Sequence, residues 1–253
     1  MELKKVRNEE VPSLGLGTYR LTGKKCAAMV EAALSIGYRH LDTARMYGNE
    51  EEVGKGIRSA GVDREDIFLV TKIWPDDFSR DDVPRATDDS LKKLGTDYVD
   101  LLLMHWPGTV PLEETLDAMR ELREEGKVRH VGVSNFSTTL VEEASEHAEI
   151  FCNQVKYSPY EDQGDLRDQA QRMDYLLTAY SPIARGRVLN DPTLEEIGAA
   201  HGKTLVQVTL RWLVQQENVA AIPKASSEDR LKSNFDIFDF ELSDEEMSRI
   251  FSL

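Results

Sequence analysis

Cysteine is nearly absent: among 253 residues only Cys26 and Cys152 carry a thiol, and no C-x-x-C pair accompanies them. A framework of disulfide bridges is thereby excluded. Both thiols read as small buried hydrophobes, Cys26 in a helical pattern and Cys152 in an apolar strand-like run. Long apolar runs are missing too, all falling far short of the ~20 residues that a spanning helix needs. No N-terminal stretch combines a basic start with an apolar segment of signal-peptide length, so a cytoplasmic protein is expected, without a membrane partner. Basic residues are in deficit, 31 against 46 acidic, for a formal net charge of −15. Such a surface repels phosphate backbones and anionic lipid, which argues against nucleic-acid binding. Outside His105 the histidines, His40, His130, His147 and His201, show no H-E-x-x-H or other ligand spacing, so no metal site is implied.

A third glycine is missing where it would matter most. Gly15-Leu16-Gly17-Thr18-Tyr19-Arg20 begins like a dinucleotide fingerprint but puts Arg20 where G-x-G-x-x-G needs glycine. What the chain does have is a repeated alternation of short β-branched runs with longer helical patterns. The runs lie near Leu14–Gly17, Arg39–Asp42, Phe68–Ile73, Tyr98–His105, His130–Ser134, Phe151–Val155, Tyr175–Ala179 and Ala220–Pro223. The amphipathic stretches lie near Lys24–Ile36, Asn49–Ser59, Arg80–Leu94, Leu112–Glu125, Thr138–His147, Asp165–Arg172, Thr193–Gln216 and Ser227–Phe235.

Val99-Asp100-Leu101-Leu102-Leu103-Met104 lacks polar alternation, as parallel strands covered on both faces do. Eight such units in this length fit an α/β fold of the (β/α)8 TIM-barrel type, with a doubly wound open sheet as the alternative. Glu2–Pro12 is expected to form an N-terminal hairpin plugging one barrel end, and Ser243–Ile250 an extra C-terminal helix opened by a Ser243/Glu246 capping box. No linker or composition break divides residues 1–253, which read as one barrel domain.

In such a barrel the C-terminal strand ends converge on one mouth. Asp42, Lys72 and His105 each close a strand-like run, and Tyr47 follows in the next loop. A phenol of ordinary pKa ~10 is a slow proton donor at neutral pH, and a neighbouring ammonium lowers that value. Lys72 can supply the ammonium, Asp42 its buried counter-charge, and a neutral His105 can orient a substrate oxygen. Taken singly, each residue has a structural explanation, such as a buried pair, a satisfied histidine or a capping Asp. Four ionisable groups converging on one mouth are harder to assign to packing.

These residues carry a family resemblance. Asp42-Thr43-Ala44-x-x-Tyr47-Gly48-Asn49-Glu50, Thr71-Lys72-x-Trp74, His105-Trp106-Pro107, Gly132-Val133-Ser134-Asn135-Phe136, Ala179-Tyr180-Ser181-Pro182 and Ile222-Pro223-Lys224 with Asn234 beyond resemble the aldo-keto reductases, over about Leu14 to Phe240. The short prokaryotic-type members, diketogluconate and aldehyde reductases, are the nearest in pattern.

The resemblance implies a nicotinamide cofactor held without a Rossmann domain and reversible reduction of a carbonyl to an alcohol. Tyr47 would be the general acid, tuned by Lys72 and Asp42, with His105 orienting the carbonyl. Ser134, Asn135 and Gln154 would hold the carboxamide, and Tyr180 would stack on the nicotinamide. Ser181-Pro182-Ile183 and Gly186 would lie along the pyrophosphate, with Thr18 and Asp42 among the further cofactor contacts. Lys224 and Arg230, with Ser226, Ser227 and Asn234, would hold the adenosine end and favour NADPH over NADH.

Three departures temper this expectation. Ala225 stands where the family usually has Ser, and Ser233 where it has Glu, so the NADPH preference is expected to be modest. The segment after Pro107 is short, trimming a loop that closes the pocket in many relatives. Tyr19, Trp74 and Trp106 would then wall a partly open pocket accepting many small-molecule aldehydes at high KM. A monomer is expected.

Two other classes stay in view, a catalytically slow NADPH-binding sensor or regulatory protein on the same barrel and an unrelated phosphate-binding barrel such as an isomerase. Asn135-Phe136-Ser137 satisfies a glycosylation pattern by coincidence. Finally, the acidic excess reads as a solvated face, or more sharply as adaptation to a high-salt, halophilic cytoplasm where screening removes self-repulsion.

Overall fold

The computed structural model describes residues 1–253. Its first element is an antiparallel hairpin of β1 (Leu3–Val6) and β2 (Glu9–Pro12), reversed through Arg7 and Asn8 in left-handed backbone. Eight parallel strands follow. They are β3 (Leu16–Gly17), β4 (His40–Asp42), β5 (Phe68–Ile73), β6 (Val99–Met104), β7 (Val128–Ser134), β8 (Ile150–Lys156), β9 (Leu176–Tyr180) and β10 (Val219–Ala221).

Each crossover is helical: α1 (Gly23–Ile36), α2 (Glu50–Ala60), α3 (Asp82–Leu94), α4 (Leu112–Glu124), α5 (Thr138–Ser145) and α6 (Gly164–Met173) come in turn. Two helices, α7 (Pro192–His201) and α8 (Leu205–Gln215), join β9 to β10, and α9 (Glu228–Phe235) and α10 (Asp244–Phe251) complete the chain. No helix is long and apolar enough to cross a membrane.

Strand order follows chain order from β3 to β10, and the two ends meet. Gly15 N donates to Ala221 O at 2.8 Å and Ala221 N donates to Ser13 O at 2.9 Å, around a parallel bridge between Leu14 and Ala221. This closure makes a (β/α)8 barrel and removes the open-sheet alternative. It also explains the truncated glycine motif. A Cβ on Gly17 would sit 2.6 Å from Ile222 O, and one on Gly15 3.0 Å from Ile222 Cγ2 as well as 2.8 Å from the His40 ring of β4, so these glycines let the first barrel strand approach the last and its other neighbour.

Strand periodicity decides what fills the barrel, because residues two apart share a face. On that inward face Val70, Leu101, Leu103, Phe151, Cys152, Leu176 and Ala220 pack with Val6 and Val11 of the hairpin, which plugs the barrel's N-terminal end as expected; adjacent Phe151 and Cys152 both join this cluster because the β7–β8 register shifts by one residue there, Val131 pairing with Ile150 and Val133 with Asn153. The same face continues toward the C-terminal ends as Asp42 after His40, Lys72 after Val70, Gln154 after Cys152 and Tyr180 after Thr178. An apolar floor thus turns into a polar ceiling within one or two pleats. The outward strand face, with Leu69, Ile73, Leu102, Met104, Val133 and Leu177, belongs to the larger core beneath the helices.

One expected element divides. Thr193–Gln216 is two helices, broken where Gly202 takes φ 64° and Thr204 opens α8 with a capping box to Gln207. The predicted Ser243/Glu246 box opens α10 as expected.

Candidate active site

Tyr47 sits on a single 3-10 turn, Arg45–Tyr47, between extended Ala44 and left-handed Gly48. Arg45 fastens this turn to the next unit. Its Nε donates to Asp77 at 3.1 Å, and its Nη1 donates to Asp89 at 2.7 Å and to Ala86 O at 3.1 Å. Behind it buried Asn49 donates to Thr18 O at 3.0 Å and Leu21 O at 2.9 Å while accepting from Thr43 Oγ1 at 2.8 Å. The loops after β3 and β4 are thereby locked together.

Within this frame Lys72 is fully buried. Its Nζ donates to Asp42 Oδ1 at 2.6 Å and to Thr43 O at 2.8 Å, and lies 3.4 Å from Tyr47 Oη. The second carboxylate oxygen of Asp42 accepts from Gln154 Nε2 at 2.7 Å. Thr18, wholly buried, spends its hydroxyl on Asp42 O at 2.9 Å and so supports the site from behind.

Burial works against the Lys72 ammonium, but Asp42 and Tyr47 hold its pKa above the ordinary lysine value. For Tyr47 burial is again the largest influence, and it raises the phenol pKa further than Lys72 lowers it. The net lowering expected from sequence is therefore reversed: the low-dielectric surroundings penalise the phenolate more than one ammonium rewards it. Tyr47 is protonated at neutral pH.

His105 follows β6, its backbone N–H donating to Ile73 O at 3.0 Å. Its ring stands edge-on to Tyr47 at 5.7 Å and to Trp74 at 5.1 Å. Burial and the nearby Lys72 push the imidazole down to about 3, so it is neutral, and its Nδ1 is buried without a partner. Tyr19 packs on Tyr47 at 5.1 Å and is 48% exposed, and Trp106 is 43% exposed, leaving the mouth open. Tyr19 and Trp74 thus meet the central rings directly, whereas Trp106 stands at the rim.

On the opposite side, Ser134 Oγ donates to Gln154 O at 2.7 Å, and Asn135 Nδ2 donates to Ser134 Oγ at 2.9 Å and to His105 O at 3.1 Å. Tyr180 Oη donates to Asn135 Oδ1 at 2.8 Å. Asn135 turns back into this network with φ 63°, and the β9 loop follows with Ser181, Ala184, Arg185 and Gly186 all left-handed. The structure thus brings Ser134, Asn135, Gln154 and Tyr180 together with the central four.

Pro182 is buried and Ile183 half-buried in that loop. Lys224 and Arg230 are exposed beyond β10 and form no ion pair on an otherwise acidic surface. Ser227 caps α9 through Arg230 N, beside half-buried Ser226 and buried Asn234. Ala225 is buried in the core, so its departure from serine serves packing.

Sequence reading missed the roles of Asn49, of the Thr43 carbonyl and of Glu50. The last is buried and accepts from Thr71 Oγ1 at 2.6 Å, with burial raising its pKa. The available signal was their place inside the same nine-residue block as Asp42 and Tyr47.

Comparison with known proteins supplies a family. The model described as "Aldo/keto reductase family" matches residues 13–253. An aldo-keto reductase from Mycolicibacterium smegmatis is 43% identical over 251 residues, covering 96% of this chain and 90% of that protein. Glyoxal reductase from Bacillus subtilis is 42% identical over 247 residues, covering 96% and 89%. The crystal structure of a Bombyx mori aldo-keto reductase in complex with NADP superposes with a TM-score of 0.92 at 33% identity, covering 99% of this chain and 92% of that one.

Proposed function

We propose that this chain, which belongs to the aldo/keto reductase family, reduces aldehydes or ketones to alcohols with a nicotinamide cofactor, preferring NADPH, and that Tyr47 is the general acid. The chief support is the buried Lys72–Asp42 pair set 3.4 Å beneath a protonated Tyr47 hydroxyl that opens on the mouth. A structural ion pair needs no phenol at its open end.

The surroundings fit the cofactor. Half-buried Tyr180 offers a ring face, Ser134, Asn135 and Gln154 a row of amide and hydroxyl groups, and the left-handed β9 loop a close backbone approach. Lys224 and Arg230, two cations with no acidic partner, suit a 2′-phosphate. A reduced nicotinamide bound there would supply hydride to the carbonyl carbon.

The protein's part is positional and protonic. Tyr47 gives its proton to the carbonyl oxygen as the C–O bond becomes an alkoxide, and Lys72 steadies the phenolate that results. Asp42 keeps the lysine charged and aimed. In His105 a bare Nδ1 is the less costly orphan, since a buried N–H without an acceptor is the rarer state, and this puts the proton on Nε2. That nitrogen then donates to the substrate oxygen and fixes its angle. The open mouth favours small carbonyl compounds, and the Bacillus relative's name makes glyoxal the first substrate to try.

The test is oxidation of NADPH and NADH by a panel from glyoxal to benzaldehyde, with Tyr47→Phe beside the parent. Turnover should favour NADPH, and Tyr47→Phe should lower kcat by ~10²–10⁴-fold, with NADPH affinity within about threefold because the phenol acts on substrate. Retained kcat in the variant would overturn the acid assignment. Cofactor binding without turnover on any carbonyl would favour the sensor class instead.

A further inference from the structure

Gln154 has two ends with different neighbours. Its amide nitrogen donates to Asp42 Oδ2 at 2.7 Å across 112 residues of sequence, so the carboxylate is gripped by Lys72 on one oxygen and by Gln154 on the other. The amide oxygen accepts no hydrogen bond from the protein and is not sealed from solvent. The Gln154 backbone oxygen meanwhile takes Ser134 Oγ and Asn135 N–H, at 2.7 and 2.9 Å. The side chain therefore stands where the proton-transfer groups end and the groups suited to a carboxamide begin.

We propose that Gln154 is a positioning residue coupling the two halves of the site: its nitrogen holds Asp42, and through it Lys72 and Tyr47, while its oxygen accepts from the carboxamide of a bound nicotinamide. This rests on the reading of Tyr47 as the acid fed by Lys72 and Asp42. Seating the cofactor fixes the amide plane, and a fixed plane keeps its N–H on Asp42. The proton donor is then aligned when the hydride source is present. A contact with cofactor alone would leave Asp42 indifferent to residue 154.

Gln154→Glu separates these cases, because it keeps the shape and an acceptor but replaces the donor with an ionisable group. Protonated, the new carboxyl can donate to Asp42 as the amide did. Ionised, it faces Asp42 across hydrogen-bond distance, and two carboxylates so placed share one proton, which raises the pKa of the pair well above ~4.3. The groups already facing this spot leave a clear window. Burial pushes His105 down to about 3 and Cys152 up to about 12 and holds His40 below its ordinary value, while Tyr47 is raised by burial and Lys72 by Asp42 and Tyr47.

The experiment measures NADPH binding, by quenching of tryptophan fluorescence, and carbonyl-reduction kcat from pH 5 to 9 in the parent, Gln154→Glu and Gln154→Ala. Gln154→Glu should be most active and bind most tightly at pH 5, and should lose roughly 10-fold or more in both readouts, relative to its own pH 5 values, through a new ionisation between about pH 6 and 9 that the parent lacks. Gln154→Ala should be weakened at every pH with no new break. No break above pH 6 in the binding of Gln154→Glu, with the variant folded by circular dichroism, would overturn the coupling. The binding readout does not depend on Tyr47: a break in binding alongside full activity of Tyr47→Phe would sink the acid assignment and leave the Gln154–Asp42 link standing.

Discussion

His105 carries the clearest pH consequence at the scale of single residues. An unfolded histidine titrates near ~6.5, whereas burial and Lys72 bring His105 to about 3 in the folded chain. Between those values the unfolded state binds the extra proton, so the stability contributed by neutral His105 is fully present above about pH 6.5 and is lost as pH falls toward 3. Urea titrations of the parent and His105→Gln at pH 7 and pH 4.5 should show a smaller acid loss in the variant. An equal loss would mean that His105 is charged or solvated in the fold. The reduction rate, correspondingly, should show no break near pH 6.5 and should decline only at alkaline pH, as Tyr47, raised by burial, gives up its proton. Asp42, Tyr47, Lys72 and His105 were legible in the sequence because each stands at or just after a strand end. The grip of Gln154 on Asp42 was not, since nothing local links positions so far apart, and the direction of the Tyr47 shift depended on a burial that periodicity does not measure.

Elements meet here through glycine where packing is tightest. Gly54, inside α2, lies against the end of α3: an added Cβ would stand 2.1 Å from Leu94 O and 2.9 Å from Leu94 Cα. Helix propensity alone favours Gly54→Ala by ~1 kcal/mol. The neighbouring atoms are backbone and cannot rotate aside, so overpacking should win, at about 1–3 kcal/mol of lost stability. A lower urea midpoint with unchanged slope would agree; a stabilised variant would mean that the two helices can part without cost. Strand and helix positions were mostly readable from period and β-branching, and β5, Phe68–Ile73, lies where sequence puts it. The break between α7 and α8 was hidden because apolar residues continue in helical register from Leu194 to Val214. Gly202 and the Thr204-x-x-Gln207 box were the overlooked stop and start signals. Barrel closure between Leu14 and Ala221 was also illegible, because it depends on the register of strands at opposite ends of the chain.

Charge is the property that belongs to the molecule as a whole. The excess of 15 negative charges is spread over exposed helix faces and loops, as at Glu124, Glu125, Glu142, Glu143, Asp244 and Glu245, while Lys224 and Arg230 remain as unpaired cations beside the mouth. Many acids are held by cations at close range, among them Asp89 by Arg45 at 2.7 Å, Glu196 by Arg249 at 2.7 Å and Asp239 by Lys203 at 2.7 Å. Pairs whose carboxylate stays open to solvent, as in these three, contribute ~0–1 kcal/mol each. Salt acts on these two kinds of interaction at different lengths. With a screening length of ~10 Å at 0.1 M and ~3 Å at 1 M, added KCl cancels repulsion across the surface before it weakens pairs in contact. Self-repulsion therefore should fall faster than attraction, and the folded chain should gain stability between ~10 mM and ~1 M KCl. A gain of ~2 kcal/mol would raise the Tm of a chain this size by about 4–8 °C. A calorimetric Tm that stays level or falls over that range would show that the ion pairs balance the excess charge, and the expectation of a chain adapted to a high-salt cytoplasm would fail with it.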